Sequence, residues 1–470
     1  MKQQYTHHVN RSLATATRVT AADFLTESPS TMSLAEKPAF DDIEPGSHNW
    51  PAIVSEWNFV KDVLLWKETY RHSLSRLVPK FVFHSERMLP CTQEVPDAHR
   101  WWCEMVATPL NCVLQNDIKA VMQPLEAVLQ PDFGFIDNKR VKLVGEIKSP
   151  WHPLAKGLAT APDFMEQESP IRQALAQLYG YMDLNNCRYG VLTTYTYTWF
   201  VKRSGDKGEL LISPPISYNS KLPSLFECYY FLVCEMEQSG FHYDRSAENS
   251  APGSEATPEG SRPGTPTSAP LSRLTTQTCW SEKSETPGHQ RGDVNRADSA
   301  QYLDEVSAQE YCWSSLQLDL RLGSGLYGSA WRGSIDGQHA VIKLYDLQKG
   351  QEKGWRTEME VYSLLKDLQG VMIPQVTHCG AIDGMAGFIG MTFCGERCTS
   401  VSPEEISQLR ETISKLHAKK IAHGDIRLEN LTRSEDGRIW LIDFGLAETN
   451  ADEGLLEEDW DGLGGLTIVD

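Results

Sequence analysis

The 470-residue chain has no run of 18 apolar residues, the least that a membrane-spanning helix needs. Its N-terminus lacks the apolar core of a secretory signal peptide. Eleven cysteines fall at no paired spacing and their number is odd, which excludes a disulfide framework and fits reduced thiols. Cys394 and Cys398 form a close pair but have no second pair with which to close a metal site. Positive charge is scarce. The net charge is −19, and no Lys or Arg follows Arg438, where Asp452, Glu453, Glu457, Glu458, Asp459 and Asp461 accumulate. That balance excludes a general nucleic-acid coat or a membrane-surface protein, while leaving room for a local basic groove. Together these absences predict an intracellular protein, cytoplasmic or nuclear, with no membrane partner.

What is present divides the chain into four parts. Residues 1–50 are polar and aperiodic, with no acid before Asp23, and read as a disordered tail. Residues 51–243 carry helical and strand periodicities. "WNFVKDVLLWKETYRHSLSRLV" from Trp57 has the apolar spacing of one amphipathic helix, and Ser169-Pro170 opens a second. "RYGVLTTYTYTWFVKR" is β-branched and aromatic throughout and reads as a strand, and a last helix is expected around Leu225 to Glu237. Residues 244–300 are rich in Ser, Pro, Gly and Thr, cannot bury enough apolar surface to offset their ordering entropy, and read as a linker with Ser-Pro and Thr-Pro dipeptides. Residues 301–470 form the second folded block, its regular structure expected from Leu316.

In the first block, "PDFGFIDNKRVKLVGEIKSPW" brings Asp132 ahead of one strand and Glu146-Ile147-Lys148 to the end of the next. A period of two puts Glu146 and Lys148 on one face and turns Ile147 into the core. Asp132 and Glu146 together can hold a hard divalent cation through oxygen. Lys148 beside them can orient or deprotonate water, and these are the parts of metal-assisted phosphodiester hydrolysis. An exposed strand with ordinary surface charges is the plainer reading of the same residues.

In the second block, Gly323, Gly325 and Gly328 stand as G-x-G-x-x-G, and "AVIK" ends at Lys343, 15 residues after Gly328. Glycines there let a hairpin backbone approach nucleotide phosphates, and a lysine on the next strand can pair with them. "RTEMEVYSLLKDL" supplies an acid to hold Lys343: Glu358 fits best and Glu360 is second. Asp425 and Asn430, five apart in "HGDIRLEN", have the spacing of a catalytic Asp and a metal-binding Asn. Asp443 in "DFG" suits a second Mg²⁺ ligand, and Arg427 can reach a transferred phosphoryl group.

The first block resembles the PD-(D/E)XK nuclease superfamily. Pro131-Asp132 and Glu146-Ile147-Lys148 match its signature, and Gln177 with Tyr181 is similar to the Q-xxx-Y motif of the RecB-like branch. The resemblance implies an α/β restriction-endonuclease-like domain at 51–243, with Glu104 as an extra acid and DNA or RNA as partner. The second block resembles a protein kinase. Gly424 stands where many kinases carry Arg, no A-P-E segment follows the DFG, and 22 residues follow Glu448. These features are similar to the compact atypical kinases of the RIO type and of the KEOPS complex. The resemblance implies an α+β kinase-like fold with a shortened C-lobe, using ATP and Mg²⁺ on a protein Ser/Thr substrate or on its own linker. Within "EEDWDGLGGL", it implies that Asp459 or Asp461 braces the catalytic loop. The fusion loosely resembles fungal Crinkler-type effectors. Two other functions stay open: a nuclease regulated by the kinase-like block, and a non-catalytic nucleotide-binding interaction protein.

Overall fold

The computed structural model describes residues 18–21, 25–26, 53–70, 77–79, 99, 102–114, 118–137, 140–149, 152–166, 169–194, 196–204, 209–239, 310–325 and 327–466. The chain divides into two compact units, Met1–Ser254 and Glu255–Asp470. That boundary falls within the stretch read as linker, 244–300, which lies outside the described residues.

The first unit opens with β1 (Arg18–Thr20), β2 (Ile53–Glu56), α1 (Phe59–Thr69) and β3 (Leu77–Pro79). A π-helical turn (Cys103–Ala107) leads into α2 (Thr108–Asn111), followed by β4 (Lys119–Met122), β5 (Phe133–Asp137) and β6 (Arg140–Ile147). After α3 (Ala161–Met165) and α4 (Pro170–Leu184) come β7 (Tyr189–Thr193), β8 (Tyr197–Arg203), β9 (Glu209–Ile212), β10 (Ile216–Ser217) and α5 (Leu225–Ser239). The main sheet runs β2-β9-β8-β7-β6-β5-β4, with β10 on β8; the β2–β9 and β6–β7 pairs are parallel. Aromatic side chains fill its core: Phe59 stacks on Phe200 at 4.6 Å, and Trp102 on Phe133 at 3.9 Å. Burying one such ring contributes about 1.5–3 kcal/mol relative to leaving it in water.

Three sequence expectations are corrected in this unit. Residues 1–50 are not wholly a tail, because β1 pairs antiparallel with β3 and Ala21 and Leu25 are fully buried in the aromatic core. Two isolated apolar residues in a polar stretch give no periodic signal, so only their packing in the core reveals them. The helix expected through Val78 ends at Thr69, and Leu77 and Val78 belong to β3. The expected single strand of residues 188–203 is a hairpin, β7 and β8. Its turn is set by the Thr194 hydroxyl, which accepts from the backbone N–H groups of Thr196 and Tyr197 at 3.2 and 3.1 Å. Threonine bends a chain this way through local bonding that its strand propensity hides.

The second unit begins with β11 (Glu310–Tyr311), β12 (Leu316–Ser324), β13 (Ser329–Ile335) and β14 (Gln338–Asp346), then α6 (Glu352–Leu364), β15 (Val376–Ile382) and β16 (Ala386–Met391). These strands form one sheet, β11-β15-β16-β14-β13-β12. The helix α6 lays Trp355, Met359 and Tyr362 on it, all buried. Gly387 makes room: a Cβ there would come within 2.4 Å of the Trp355 ring. The lower half holds β17 (Glu396–Arg397), α7 (Pro403–Ala418), β18 (Ile421–Ala422), β19 (Leu431–Arg433), β20 (Ile439–Leu441), β21 (Glu448–Thr449) and α8 (Glu453–Gly464). Ser402 and Glu405 close a capping box on α7, with Pro403 in its first turn. No described helix is long and apolar enough to cross a membrane.

Candidate functional sites

In the first unit, antiparallel pairing sets Phe133 opposite Gly145, so Asp132 and Glu146 arrive at the same end of the sheet. Gly145 is required there, since a Cβ would lie 2.1 Å from the Phe133 ring. The Asp132 carboxylate accepts from the Ile147 backbone N–H at 2.7 Å, which holds it beside Glu146. Both acids are buried, at 2% and 1% exposure. Lys148 Nζ lies 3.1 Å from Glu146 and donates to the Gln177 side-chain oxygen, while the Gln177 amide donates to the Tyr181 hydroxyl at 3.2 Å. The helix α4, capped by Ser169, presents Gln177 and Tyr181 one turn apart on the face turned to β6. Asp132, Glu146, Lys148, Gln177 and Tyr181 therefore form one connected polar group.

Two histidines join this group that sequence reasoning missed. His99 Nε2 stands 3.0 Å from Asp132 Oδ1. Burial pushes the His152 imidazole down to about 4, with the positive Lys148 adding to the effect, so it is neutral over the physiological range. Glu104, expected as an extra acid, is half-buried on the π-helical turn. Among the described residues no three His, Cys, Asp or Glu side chains converge as a metal cluster. A cation here would rest on Asp132 and Glu146 with non-acidic donors, a mixed oxygen set suited to Mg²⁺.

In the second unit, a cavity of about 310 Å³ opens under the glycine hairpin and is lined by Gly323, Gly325, Gly328, Lys343, Asn430 and Asp443 among others. Lys343 is central on β14, opposite Ala330 and Ile389 of its neighbours. Its ammonium donates to Glu358 and, at 2.7 Å, to Asp443. Glu358 is the acid that the packing selects, because it shares the buried face of α6 with Trp355, Met359 and Tyr362. Glu360 points elsewhere and accepts from the Thr449 hydroxyl at 3.4 Å. Tyr345 donates its phenol to Glu358 as well.

Electrostatics favour the charged forms of Lys343 and Asp443, whereas burial raises the Glu358 carboxyl above the usual glutamate range, against the pull of Lys343. Burial disfavours the Lys343 charge, but the Glu358 and Asp443 carboxylates outweigh it and hold the ammonium above its ordinary value. Burial likewise opposes the Asp443 charge, and Lys343 reverses that, lowering the carboxyl below the usual aspartate range. The stability that Asp443 gains from Lys343 is therefore present above the ordinary aspartate pKa and lost only as pH falls through the lowered one.

Across the cleft, Asn430 donates to the Asp425 carboxylate at 2.8 Å and to its carbonyl at 2.9 Å, and the Arg427 guanidinium lies 3.0 Å from the same carboxylate. The loop is braced from behind by Asp459 on α8, which accepts from the backbone N–H groups of His423 at 2.8 Å and Gly424 at 2.9 Å. Of the two acids expected for this role, the structure selects Asp459. His417 adds a contact at 3.0 Å that sequence did not suggest. His423 is fully buried, with an imidazole nitrogen 3.1 Å from the Ile442 carbonyl, and burial lowers its pKa.

Gly424 has a backbone reason. Its φ is +75° and a Cβ would sit 2.6 Å from the Leu446 carbonyl oxygen. Gly424→Arg is therefore expected to lower stability by about 1–3 kcal/mol, read in a denaturant titration against wild type. A variant as stable as wild type would show that the loop accepts a side chain there.

No protein-family model matches the chain. Curated relatives do. Human serine/threonine-protein kinase A-Raf is 26% identical over 228 residues, 45% of this chain and 36% of its own length. A probable serine/threonine-protein kinase of Bacillus subtilis, YbdM, is 33% identical over 121 residues, 23% of this chain and 46% of its own. A probable bifunctional tRNA threonylcarbamoyladenosine biosynthesis protein of Methanospirillum hungatei is 46% identical over 52 residues, 11% of this chain and 10% of its own. The chain thus spans less than half the length of each of these relatives.

Proposed function

We propose, from the premise that the second unit is a protein kinase-like domain, that it transfers the terminal phosphoryl group of ATP to serine or threonine hydroxyls of protein. The observation that carries this reading is Lys343, held between Glu358 and Asp443 and lining one cavity with Asn430, whose side-chain amide holds the Asp425 carboxylate. Lys343 would position the α- and β-phosphates, kept in place by Glu358. Asp425 would orient the acceptor hydroxyl and take its proton, its own carboxylate aimed by Asn430 and Arg427. Asp443 and Asn430 supply the oxygen donors that a hard cation requires. Mg²⁺ bound there would neutralise charge building on the transferred group. Asp459 behind the loop of Asp425, and the compact kinases that the sequence resembles, support a minimal lower lobe.

The substrate we favour is protein, including the Ser-Pro and Thr-Pro dipeptides of residues 244–300. After incubation with ATP and Mg²⁺, phosphosite mapping is expected to find modified serine or threonine in wild type and none in Asp425→Ala. Equal modification of both would contradict this reading.

For the first unit we propose a metal-dependent, RecB-like nuclease acting on DNA or RNA. The connected Asp132–Glu146–Lys148–Gln177–Tyr181 group supports it. Two buried carboxylates on one sheet end are costly unless a cation or donors compensate them, and a surface strand with ordinary charges would leave them in water. Lys148 would activate or orient water, and Asp132 and Glu146 would hold Mg²⁺, which acts as Lewis acid on the phosphodiester.

A further inference from the structure

Tyr345 follows Lys343 by two residues on β14, so the alternation of the strand turns both side chains to the face that α6 covers. Across the sheet, Lys343 pairs with Ile389 and Tyr345 with Gly387 of β16. The Tyr345 side chain is fully buried, and its hydroxyl donates to Oε2 of Glu358. The Lys343 ammonium donates to the same oxygen and lies 5.3 Å from the Tyr345 ring centroid. Oε1 of Glu358 is buried and has no hydrogen-bond partner among the described residues. Two donors from one strand thus converge on one carboxylate oxygen.

That convergence has a use. An ammonium has three N–H donors. Lys343 gives one to Glu358 and one to Asp443, at 2.7 Å, and in the reaction proposed above it also serves the α- and β-phosphates. Glu358 therefore shares its cation with other anions. Its carboxylate is faced by Lys343 and Tyr345 of β14, by Tyr362 one turn on in α6, and by Asp443 after β20; of these only Lys343 is positive. Burial and the Asp443 charge push the Glu358 carboxyl up, while Lys343 and the Tyr345 hydroxyl draw it down. Burial, with the Glu358 charge beside it, raises the Tyr345 phenol well above its ordinary value, so it stays a neutral donor throughout the physiological range. A phenylalanine would fill the same core, and a buried hydroxyl gains nothing over it without a partner.

We infer that Tyr345 is a positioning residue of this site: its hydroxyl fixes the Glu358 carboxylate and so sets where Lys343 meets the phosphates of the nucleotide. The inference rests on the phosphotransferase reading and adds a third member to the Lys343–Glu358 pair. Tyr345 acts through Glu358 and takes no part in the chemistry itself.

The test is steady-state transfer from ATP, with Mg²⁺, by the full chain to a generic protein substrate across a range of pH. Wild type, Tyr345→Phe and Glu358→Gln are compared. Phenylalanine keeps the buried ring, so Tyr345→Phe is expected to melt close to wild type. Its kcat/KM for ATP should fall about tenfold, short of the roughly hundredfold loss that a 1 Å misplacement brings. Glu358 holds Lys343 as a carboxylate, so activity is lost as pH falls through its pKa. Loss of the Tyr345 donor raises that pKa, and the acid limb should move up by about one pH unit in Tyr345→Phe. A hydroxyl that only packs would leave the limb in place. Glu358→Gln cannot ionise and should lose the limb; where that variant is too slow to profile, Tyr345→Phe against wild type decides alone. A Tyr345→Phe protein with the kcat/KM and acid limb of wild type overturns the role of Tyr345 and leaves the phosphotransferase reading standing. A limb that persists in Glu358→Gln overturns it too, as does a Tyr345→Phe chain without a melting transition, which would make the hydroxyl structural. Absence of transfer by wild type overturns both.

Discussion

Asp459→Ala is expected to lower the stability of the second unit by about 3 kcal/mol or more and to remove most of its phosphoryl transfer. The Asp459 carboxylate is 1% exposed and accepts two backbone N–H groups of the catalytic loop, besides contacting His417. Alanine leaves the buried His423 N–H without an acceptor, at about 1–3 kcal/mol, and also removes the bond to the N–H of the exposed Gly424 and the His417 contact. For a unit of this size that corresponds to a fall of roughly 10 °C in melting temperature. Activity falls with stability because the same loop carries Asp425 and Asn430. Asp459→Asn keeps the shape and one acceptor oxygen, so an intermediate loss is expected. A melt of Asp459→Ala that overlays wild type would show that α8 does not brace the loop.

The second large effect belongs to the first unit. Lys148→Ala is expected to reduce Mg²⁺-dependent cleavage of plasmid or RNA by about a hundredfold or more, the scale of losing a positioned acid–base group. Lys148 is the shared partner of Glu146 and Gln177, so its removal takes away the amine proposed to orient water and leaves a buried carboxylate short of a counter-charge. Equal cleavage by wild type and variant, or cleavage by neither, would count against the nuclease reading. Retained melting behaviour separates a chemical loss from an unfolding loss.

The residues of both sites were legible in the sequence because their chemistry constrains spacing. A lysine at the end of a β-branched run, an acid on the next helix, and Asp and Asn five apart follow in chain order as a phosphate site would require, and the fold brings Lys343 to Glu358 and Asn430 to Asp425. Period two likewise placed Glu146 and Lys148 on one face. What sequence did not reveal depends on neighbours distant along the chain. His99 reaches Asp132, and His417 reaches Asp459 across 42 residues. Neither has a local pattern. Gly424 looked like the loss of an arginine, whereas the backbone at φ +75° beside the Leu446 carbonyl asks for glycine on steric grounds. Ala21 and Leu25 were hidden in a polar stretch, and the turn at Thr194 was hidden by residues that favour strands. Choosing Glu358 over Glu360 was possible because helical periodicity aligns Glu358 with the apolar stripe of α6.

Transfer of labelled phosphate from ATP by the purified full chain, compared between wild type and Asp443→Ala, tests the central claim most directly. Asp443 is the carboxylate that Lys343 holds and the one that would bind Mg²⁺, so its loss removes both functions at once. Labelling of the chain itself or of a generic protein substrate by wild type, with none by an equally folded Asp443→Ala, is the predicted result. Undiminished labelling by Asp443→Ala, or none by wild type, would contradict it.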